Sequence, residues 1–215
     1  MRCLEFLIST DQNIEDSDFP FPTSHFKKSK LNMRILGIDP GTASTGYGII
    51  DIPDDIMSRE FEYGIELVDY GFISTSKDLK MEKRLVQLFS ELNHVIEKFS
   101  PDQIAIEMLF FGANTKTAIA VGQARGIIML SAGMHDVSIT EYAGPQVKLM
   151  VAGAGRADKK LVHESVRRFL SRVKGEKAAE LSKPMVGTKR KKTWDDNAVD
   201  AVAIAICHVL KLVAK

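Results

Sequence analysis

Three carboxylate residues, Asp39, Glu107 and Asp200, occur in sequence contexts where an ordinary surface acid is unusual. Asp39 follows the apolar run ILGI, Glu107 follows IAI, and Asp200 lies within AVDAVAIAI. A charge among apolar residues is costly unless it is paired or functional. Carboxylate oxygens are preferred ligands of Mg²⁺ and Mn²⁺. Together, the three suit a site in which two divalent ions activate a water and stabilise a leaving oxygen during phosphoryl transfer.

The segment around Asp39 predicts a strand, a tight turn and a returning strand. Pro40 and Gly41 end the first strand, and the second strand contains the sequence GYG. A carboxylate at the tip of a strand is held rigidly, and the turn beside it leaves space for a phosphate. The alternative interpretation is a β-hairpin that carries an ordinary surface aspartate.

The segment DDNAVDAVAIAICH predicts a helix that begins at Asp195, because acids and amides cap the free N–H groups of a first turn. Asp200 lies one turn further along and shares a helix face with Asp196 at i−4 and Asn197 at i−3. The small neighbouring alanines allow this helix to approach a sheet closely. We therefore expect Asp200 to reach the two strand ends that carry the other carboxylates.

The charge of the chain is divided unevenly along its length. Residues 143–192 contain 14 Lys and Arg against 4 Asp and Glu, a net charge of +10, although the whole chain carries only +1. A metal-dependent enzyme that acts on a polyanion needs a basic surface for phosphates and an acidic site for cations. The alternative is that the basic run is only a solvated face.

Cysteine usage and hydropathy narrow the class of protein. Cys3 and Cys207 are the two cysteines, too few and too far apart for a disulfide framework or a zinc site. No apolar run approaches the roughly 20 residues of a membrane span. The short apolar run of MRCLEFLIST is a poor secretion signal. These features predict a cytoplasmic protein without a membrane partner.

Periodicity and turn residues predict an α/β fold with a mixed central sheet and helices on both faces. Three strands come first, followed by alternating helices and strands. Helices are predicted over 79–99, 114–133, 145–150, 158–173 and 195–212, and the later strands over 103–108 and 137–141. Residues 33–212 form the predicted domain. Residues 1–32 are predicted to be an extension with little fixed structure, and residues 174–193 a mobile basic loop.

Four segments resemble the RuvC family of bacterial Holliday-junction resolvases: GIDPGTASTGYG, AIEMLFFGANTKTAIAVGQARG, EYAGPQVKLMVAGAGRADKK and DAVAIAICH. The resemblance covers about residues 33–210. It implies an RNase H-like fold, a homodimer and paired, Mg²⁺-dependent nicking of four-way DNA junctions. It also implies partnership with the branch-migration proteins RuvA and RuvB. Two Mg²⁺ ions per site are expected, with Mn²⁺ as a substitute.

The resemblance also assigns roles to particular residues. By motif position, the catalytic carboxylates fall on Asp39, Glu107 and Asp200. The aromatic residue that the family uses against junction bases falls on Phe110, and two basic residues near the active site fall on Lys148 and Lys159. From the residues alone, Phe110 either stacks on bases or packs beneath its own loop.

One position departs from the family pattern. The family usually has Asp or His three residues before the last carboxylate, where this chain has Asn197. An amide oxygen binds Mg²⁺ but brings no charge and cannot act as a base. Asp196 stands beside it, and we predict that Asp196 is the fourth acidic group and Asn197 an outer or weak ligand. The alternative is that Asp196 merely caps the helix.

Two other functional classes stay open at this point. Sugar kinases and actin-like ATPases also place an Asp-x-Gly-Thr motif after a first strand, although they need a second domain and a further glycine-rich phosphate motif. A catalytically weakened junction-binding protein is the other possibility, because Asn197 replaces an expected acid. Cleavage of a synthetic four-way junction, binding without cleavage, and ATP turnover distinguish the three classes.

Overall fold

A computed structural model describes residues 32–53, 65–108, 115–173, 175–183 and 189–214. Within them, the chain forms five strands and six helices. The strands are β1 (Asn32–Asp39), β2 (Ser44–Pro53), β3 (Glu66–Ser74), β4 (Gln103–Glu107) and β5 (Ser138–Tyr142). The helices are α1 (Met81–Phe99), α2 (Thr115–Met134), α3 (Gly144–Ala152), α4 (Lys159–Leu170), α5 (Glu176–Ser182) and α6 (Lys189–Val213).

The strands form one mixed sheet in the order β3-β2-β1-β4-β5. The first three strands are antiparallel neighbours, whereas β4 and β5 continue the sheet in parallel with β1. Parallel neighbours need a crossover connection, and α1 and α2 supply the two crossovers. In this arrangement the carboxyl ends of β1, β4 and β5 meet at one edge of the sheet.

The sheet separates two apolar cores. Alternate residues of β1 face opposite sides, so Ile35 packs with α3 to α6 and Leu36 packs with α1 and α2. Helix α6 is buried along most of its described length, from Ala198 to Val209. The predicted mixed sheet with helices on both faces is therefore confirmed.

Helix α6 lies unusually close to β1 and β2 because glycines face it. A Cβ atom at Gly37 would lie 2.3 Å from the backbone oxygen of Ala201, and one at Gly46 would lie 2.0 Å from that of Asn197. No real side chain tolerates such distances, so only glycine permits this approach. Backbone contact between sheet and helix thus sets the height of Asp200 above the strand that carries Asp39.

Two sequence predictions near the C-terminal end are wrong. Part of the predicted loop over 174–193 is the helix α5, since Ala178 and Leu181 are buried in the core beside α3 to α6. Helix α6 begins at Lys189 and not at Asp195, because lysine and arginine extend a helix readily past an internal capping signal. Asp196 lies seven residues inside α6, so it does not cap the helix.

Other sequence predictions fall beyond the described residues. The extension predicted over 1–32 lies outside them, apart from Asn32, which begins β1. Phe110 lies outside them as well. None of the described helices is long and apolar enough to cross a membrane.

Candidate active site

The three predicted carboxylates meet at the carboxyl edge of the parallel strands. Asp39 ends β1 and Glu107 ends β4, and the preceding residues Ile38 and Ile106 are paired across the two strands. Asp200 reaches the same edge from α6. The three are close enough for their charges to influence one another, as the pKa values of their carboxyl groups reveal.

Asp39 has the most perturbed carboxyl group of the three. Burial, followed by repulsion from Asp200 and Glu107, raises its pKa from the usual 3.8 to about 7. Burial and the charge of Asp200 also raise the pKa of Glu107, while Lys148 opposes the rise. Negative charge at this edge of the sheet is therefore only partly compensated by the protein itself.

Asp200 behaves differently because helix α4 supplies two partners for it. Lys159 donates to Oδ2 at 2.9 Å, and Nε2 of His163 lies 2.8 Å from Oδ1. Burial would raise the pKa of Asp200, but these hydrogen bonds outweigh it and hold the pKa below its usual value. Asp200 is therefore the carboxylate of the three whose ionised form the fold stabilises.

Asp196 and Asn197 point to different partners. A carboxylate oxygen of Asp196 lies 3.7 Å from Nζ of Lys159, and the other lies 3.5 Å from Nδ1 of His163. Asp196 thus joins the cluster around Asp200. The side-chain amide of Asn197 instead donates to Oγ of Ser44 at 2.7 Å. It ties α6 to the first residue of β2, just after the turn that follows Asp39.

Glu107 is positioned by residues on both sides of its strand end. Arg125 of α2 donates one hydrogen bond to the backbone oxygen of Glu107 and another, at 2.8 Å, to the carboxylate of Glu141 in β5. On the other side, a Cβ atom at Gly144 would lie 2.3 Å from a carboxylate oxygen of Glu107. The glycine at the start of α3 therefore leaves the room that this carboxylate occupies.

A cleft of about 210 Å³ opens at this site. Glu107 and Asp200 line it together with the basic residues Lys148 and Lys159. Acidic and basic groups thus face the same small space, as expected for a site that holds both cations and a phosphate. Lys148 and Lys159 thus lie close to two of the three carboxylates.

The oxygen ligands of these side chains suit an open site for divalent metal ions. Among the described residues, no three His, Cys, Asp or Glu side chains converge closely enough to enclose a single ion. Mg²⁺ is commonly held by one or two carboxylates, with waters and substrate phosphates completing its coordination. The repulsion at Asp39, which Lys159 offsets only in part, marks a place that a cation would stabilise.

Two residues of the site escaped sequence reasoning. His163 shares the buried face of α4 with Val166 and Leu170, a spacing of three and seven residues that the sequence does reveal. Arg125 lies amid the largely apolar sequence of helix α2 beyond its first turn, which signals a buried partner. Both residues stand out from their sequence context, but the partner of each lies far away along the chain.

The family model for the crossover junction endodeoxyribonuclease RuvC matches residues 35–208 of this chain. The chain belongs to the RuvC family. The match includes all three carboxylates, and it excludes the interpretation as a sugar kinase or actin-like ATPase.

Curated RuvC proteins are similar over most of their length. The chain is 43% identical to the RuvC protein of Caldicellulosiruptor saccharolyticus over 178 residues, which are 83% of this chain and 93% of that protein. It is 40% identical to RuvC of Fusobacterium nucleatum, over 85% of this chain and 83% of that one. Both are crossover junction endodeoxyribonucleases by name.

Solved RuvC structures share the fold. The structure of Thermus thermophilus RuvC in complex with a Holliday junction substrate superposes with a TM-score of 0.66 at 26% identity. It covers 85% of this chain and 96% of that one. The yeast mitochondrial Holliday junction resolvase gives a TM-score of 0.57 at 15% identity, which supports the fold alone. The predicted RNase H-like architecture is confirmed.

Proposed function

We propose that this protein resolves four-way DNA junctions by paired, metal-dependent hydrolysis of phosphodiester bonds during recombination and repair. The observation that carries the proposal is the meeting of Asp39, Glu107 and Asp200 at one sheet edge, within a match to the RuvC family over residues 35–208. The relatives named above carry this activity in their names. The basic region over 143–192 supplies the charge that junction DNA requires.

Asp39, Glu107 and Asp200 are the catalytic carboxylates in this proposal, and they hold Mg²⁺, or Mn²⁺ in its place. Two bound ions would lower the pKa of an attacking water and neutralise charge on the leaving oxygen. Asp39 gains most from a bound cation, because its charge is the most strongly opposed by burial and neighbours. Asp200 is already ionised and held in place by α4.

Asp196 is the fourth acidic group of the proposed site. Its carboxylate faces Lys159 and His163, which are the same two residues that hold Asp200. Asn197 is engaged by Ser44 and serves as an outer or weak ligand. A fourth carboxylate also improves the charge balance, since two divalent ions with three carboxylates leave a net charge of +1.

DNA contacts are assigned to Lys148, Lys159 and Phe110. Both lysines line the cleft, so a phosphate that entered it would meet their ammonium groups. Lys159 is 54% exposed and its long side chain can turn from Asp200 to a phosphate. Phe110 is three residues after Glu107 in the sequence, and an aromatic ring can stack on unstacked junction bases.

The active protein is a homodimer in this proposal, since paired nicks need two active sites. Helix α2 offers a surface for the second copy, because Ile119 is 64% exposed and Leu130 is 52% exposed three turns later on the same face. RuvA and RuvB are its proposed partners in the cytoplasm. Leu130→Glu should yield monomers in sedimentation, and an unchanged dimer would place the interface elsewhere.

Junction cleavage tests the function directly. The protein is mixed with a synthetic four-way junction, with Mg²⁺ or with EDTA, and both nicking and binding are followed on gels. We expect Asp39→Asn, Glu107→Gln and Asp200→Asn to lose nicking but keep binding, because they remove metal ligands and spare the basic surface. Asp78→Asn, at an exposed position before α1, is the control and should cleave normally.

Three outcomes would contradict parts of the proposal. Full cleavage by one of the three variants would remove that residue from the catalytic set. Tight junction binding without cleavage by the natural chain, in both Mg²⁺ and Mn²⁺, would establish the catalytically weakened class instead. Equal cleavage of a linear duplex would deny the selectivity for junctions.

A further inference from the structure

His163 is a buried residue that is not among the proposed catalytic, metal-binding or DNA-binding residues. It is 6% exposed and lies on α4, between two carboxylates of α6. Its Nε2 atom is 2.8 Å from Asp200, and its Nδ1 atom is 3.5 Å from Asp196. A histidine ring in such a place is fixed by packing and has little freedom to turn.

Lys159 and His163 are one helical turn apart, so they project from the same face of α4. Between them they bind both oxygens of Asp200: Lys159 donates to Oδ2, and His163 donates to Oδ1. A carboxylate offers about four lone-pair positions, so these two hydrogen bonds leave acceptor sites free for a cation. The orientation of the carboxylate is nevertheless fixed from one side.

The two partners differ in how firmly they are held. Lys159 is 54% exposed, and its ammonium group is the one that a DNA phosphate can attract. The His163 side chain is buried and cannot leave without disturbing the packing of α4 on α6. When Lys159 turns to DNA, His163 remains as the described residue that still orients Asp200.

We propose that His163 is a positioning residue that fixes Asp200, and beside it Asp196, in the orientation required for metal binding. The inference rests on the proposed function, because it assigns metal binding to Asp200. Hydrogen bonds to ligating carboxylates tune metal sites, and their removal typically costs about 10–100-fold in metal affinity. His163 does not touch the reacting atoms.

The test measures metal binding without DNA and without turnover. Mn²⁺ is titrated into the full-length protein, and free Mn²⁺ is followed by its paramagnetic resonance signal. We expect His163→Ala to bind Mn²⁺ about 10–100-fold more weakly than the natural chain. His163→Gln should recover most of that loss, because its amide donates a hydrogen bond at a similar reach. His94→Ala, which removes an exposed imidazole from α1, should have no effect.

A second pair of measurements separates positioning from general damage. Junction binding in EDTA should be unchanged in both His163 variants, and the Mg²⁺ concentration for half-maximal nicking should rise only in His163→Ala. If a folded His163→Ala protein binds Mn²⁺ as tightly as the natural chain does, the proposal is overturned. Equal weakening in a folded His163→Gln would also overturn it, because the hydrogen bond would then not matter. If the Mn²⁺ affinity depends on His163 as expected but the natural chain cuts no junction, the proposed function fails and the positioning role stands.

Discussion

Replacing Asp39 by asparagine should stabilise the metal-free protein at neutral and alkaline pH. In the unfolded chain, Asp39 ionises with its usual pKa of 3.8, whereas in the folded chain burial and two neighbouring carboxylates raise the pKa to about 7. Above pH 7 the folded protein must therefore carry a charge that its surroundings oppose. Asparagine has nearly the same shape and no charge, so it removes the penalty.

The magnitude follows from the difference between the two pKa values. A rise of about three units corresponds to a ceiling of about 4 kcal/mol, at about 1.4 kcal/mol per unit. Partial relaxation and water access lower this figure, and we expect about 2–3 kcal/mol at pH 8. For a chain of this length, 1 kcal/mol shifts the melting temperature by about 2–4 °C. Asp39→Asn should thus melt about 4–12 °C above the natural protein in EDTA.

The pH dependence distinguishes this cause from improved packing. Well below the usual pKa of 3.8, the carboxyl group of Asp39 is protonated in both the folded and the unfolded state, so there the two proteins should be equally stable. The difference should grow between about pH 4 and pH 7 and stay constant above. Thermal melts in EDTA at pH 4.5, near the start of this rise, and at pH 8, on its plateau, measure the change, with Asp78→Asn as the exposed control.

Metal ions provide the complementary check. Mg²⁺ should raise the melting temperature of the natural protein at pH 8 and leave Asp39→Asn almost unchanged, because the cation relieves the same repulsion that the mutation removes. An Asp39→Asn protein that melts lower at pH 8 would refute the reasoning. So would a gain in melting temperature of the same size at pH 4.5 and pH 8.

Three further predictions concern binding, metal use and stability. Lys148→Ala should weaken junction binding and reduce its salt dependence by about one unit of slope, and an unchanged slope would show that this side chain faces away from DNA. Asp196→Asn should need far more Mg²⁺ for half-maximal cleavage, whereas Asn197→Asp should not. Normal cleavage by Asp196→Asn, together with no cleavage by Asn197→Ala, would make Asn197 the fourth ligand. Gly37→Ala should lower the melting temperature by about 2–12 °C, because overpacking against α6 costs about 1–3 kcal/mol. A melting temperature equal to that of the natural protein would contradict the close contact between β1 and α6.

The strand ends and the helix of Asp200 were predictable because their signals are local. An aspartate after an apolar run, followed by Pro-Gly, marks a strand tip wherever it occurs. The alternation of strands and helices likewise indicates a mixed sheet. From these elements, the meeting of Asp39, Glu107 and Asp200 follows by geometry alone, and the structure brings the three together.

The errors arose where a local signal competed with a longer-range one. Asp195, Asp196 and Asn197 form a good capping sequence, but the residues before them favour helix and α6 simply continues through. Helix α5 was missed because its charged residues mask the two apolar positions, Ala178 and Leu181, that anchor it.

Side-chain partners were the least predictable part of the site. Contact between His163 and Asp200 joins residues 37 positions apart, and that between Asn197 and Ser44 joins residues 153 apart. Helical spacing shows which face of α4 is buried but not which carboxylate it will meet. Such contacts depend on the exact height and rotation of packed helices, which no sequence period specifies.

The glycines beneath α6 make the spacing of the carboxylates independent of most of the core. Because the backbone of α6 rests directly on the backbone of β1 and β2 at Gly37 and Gly46, no side chain acts as a spacer between Asp39 and Asp200. Apolar residues elsewhere can exchange for others of different shape without changing that separation. Geometric tolerance of the site is thereby confined to a few positions, and Gly37 and Gly46 are two of them.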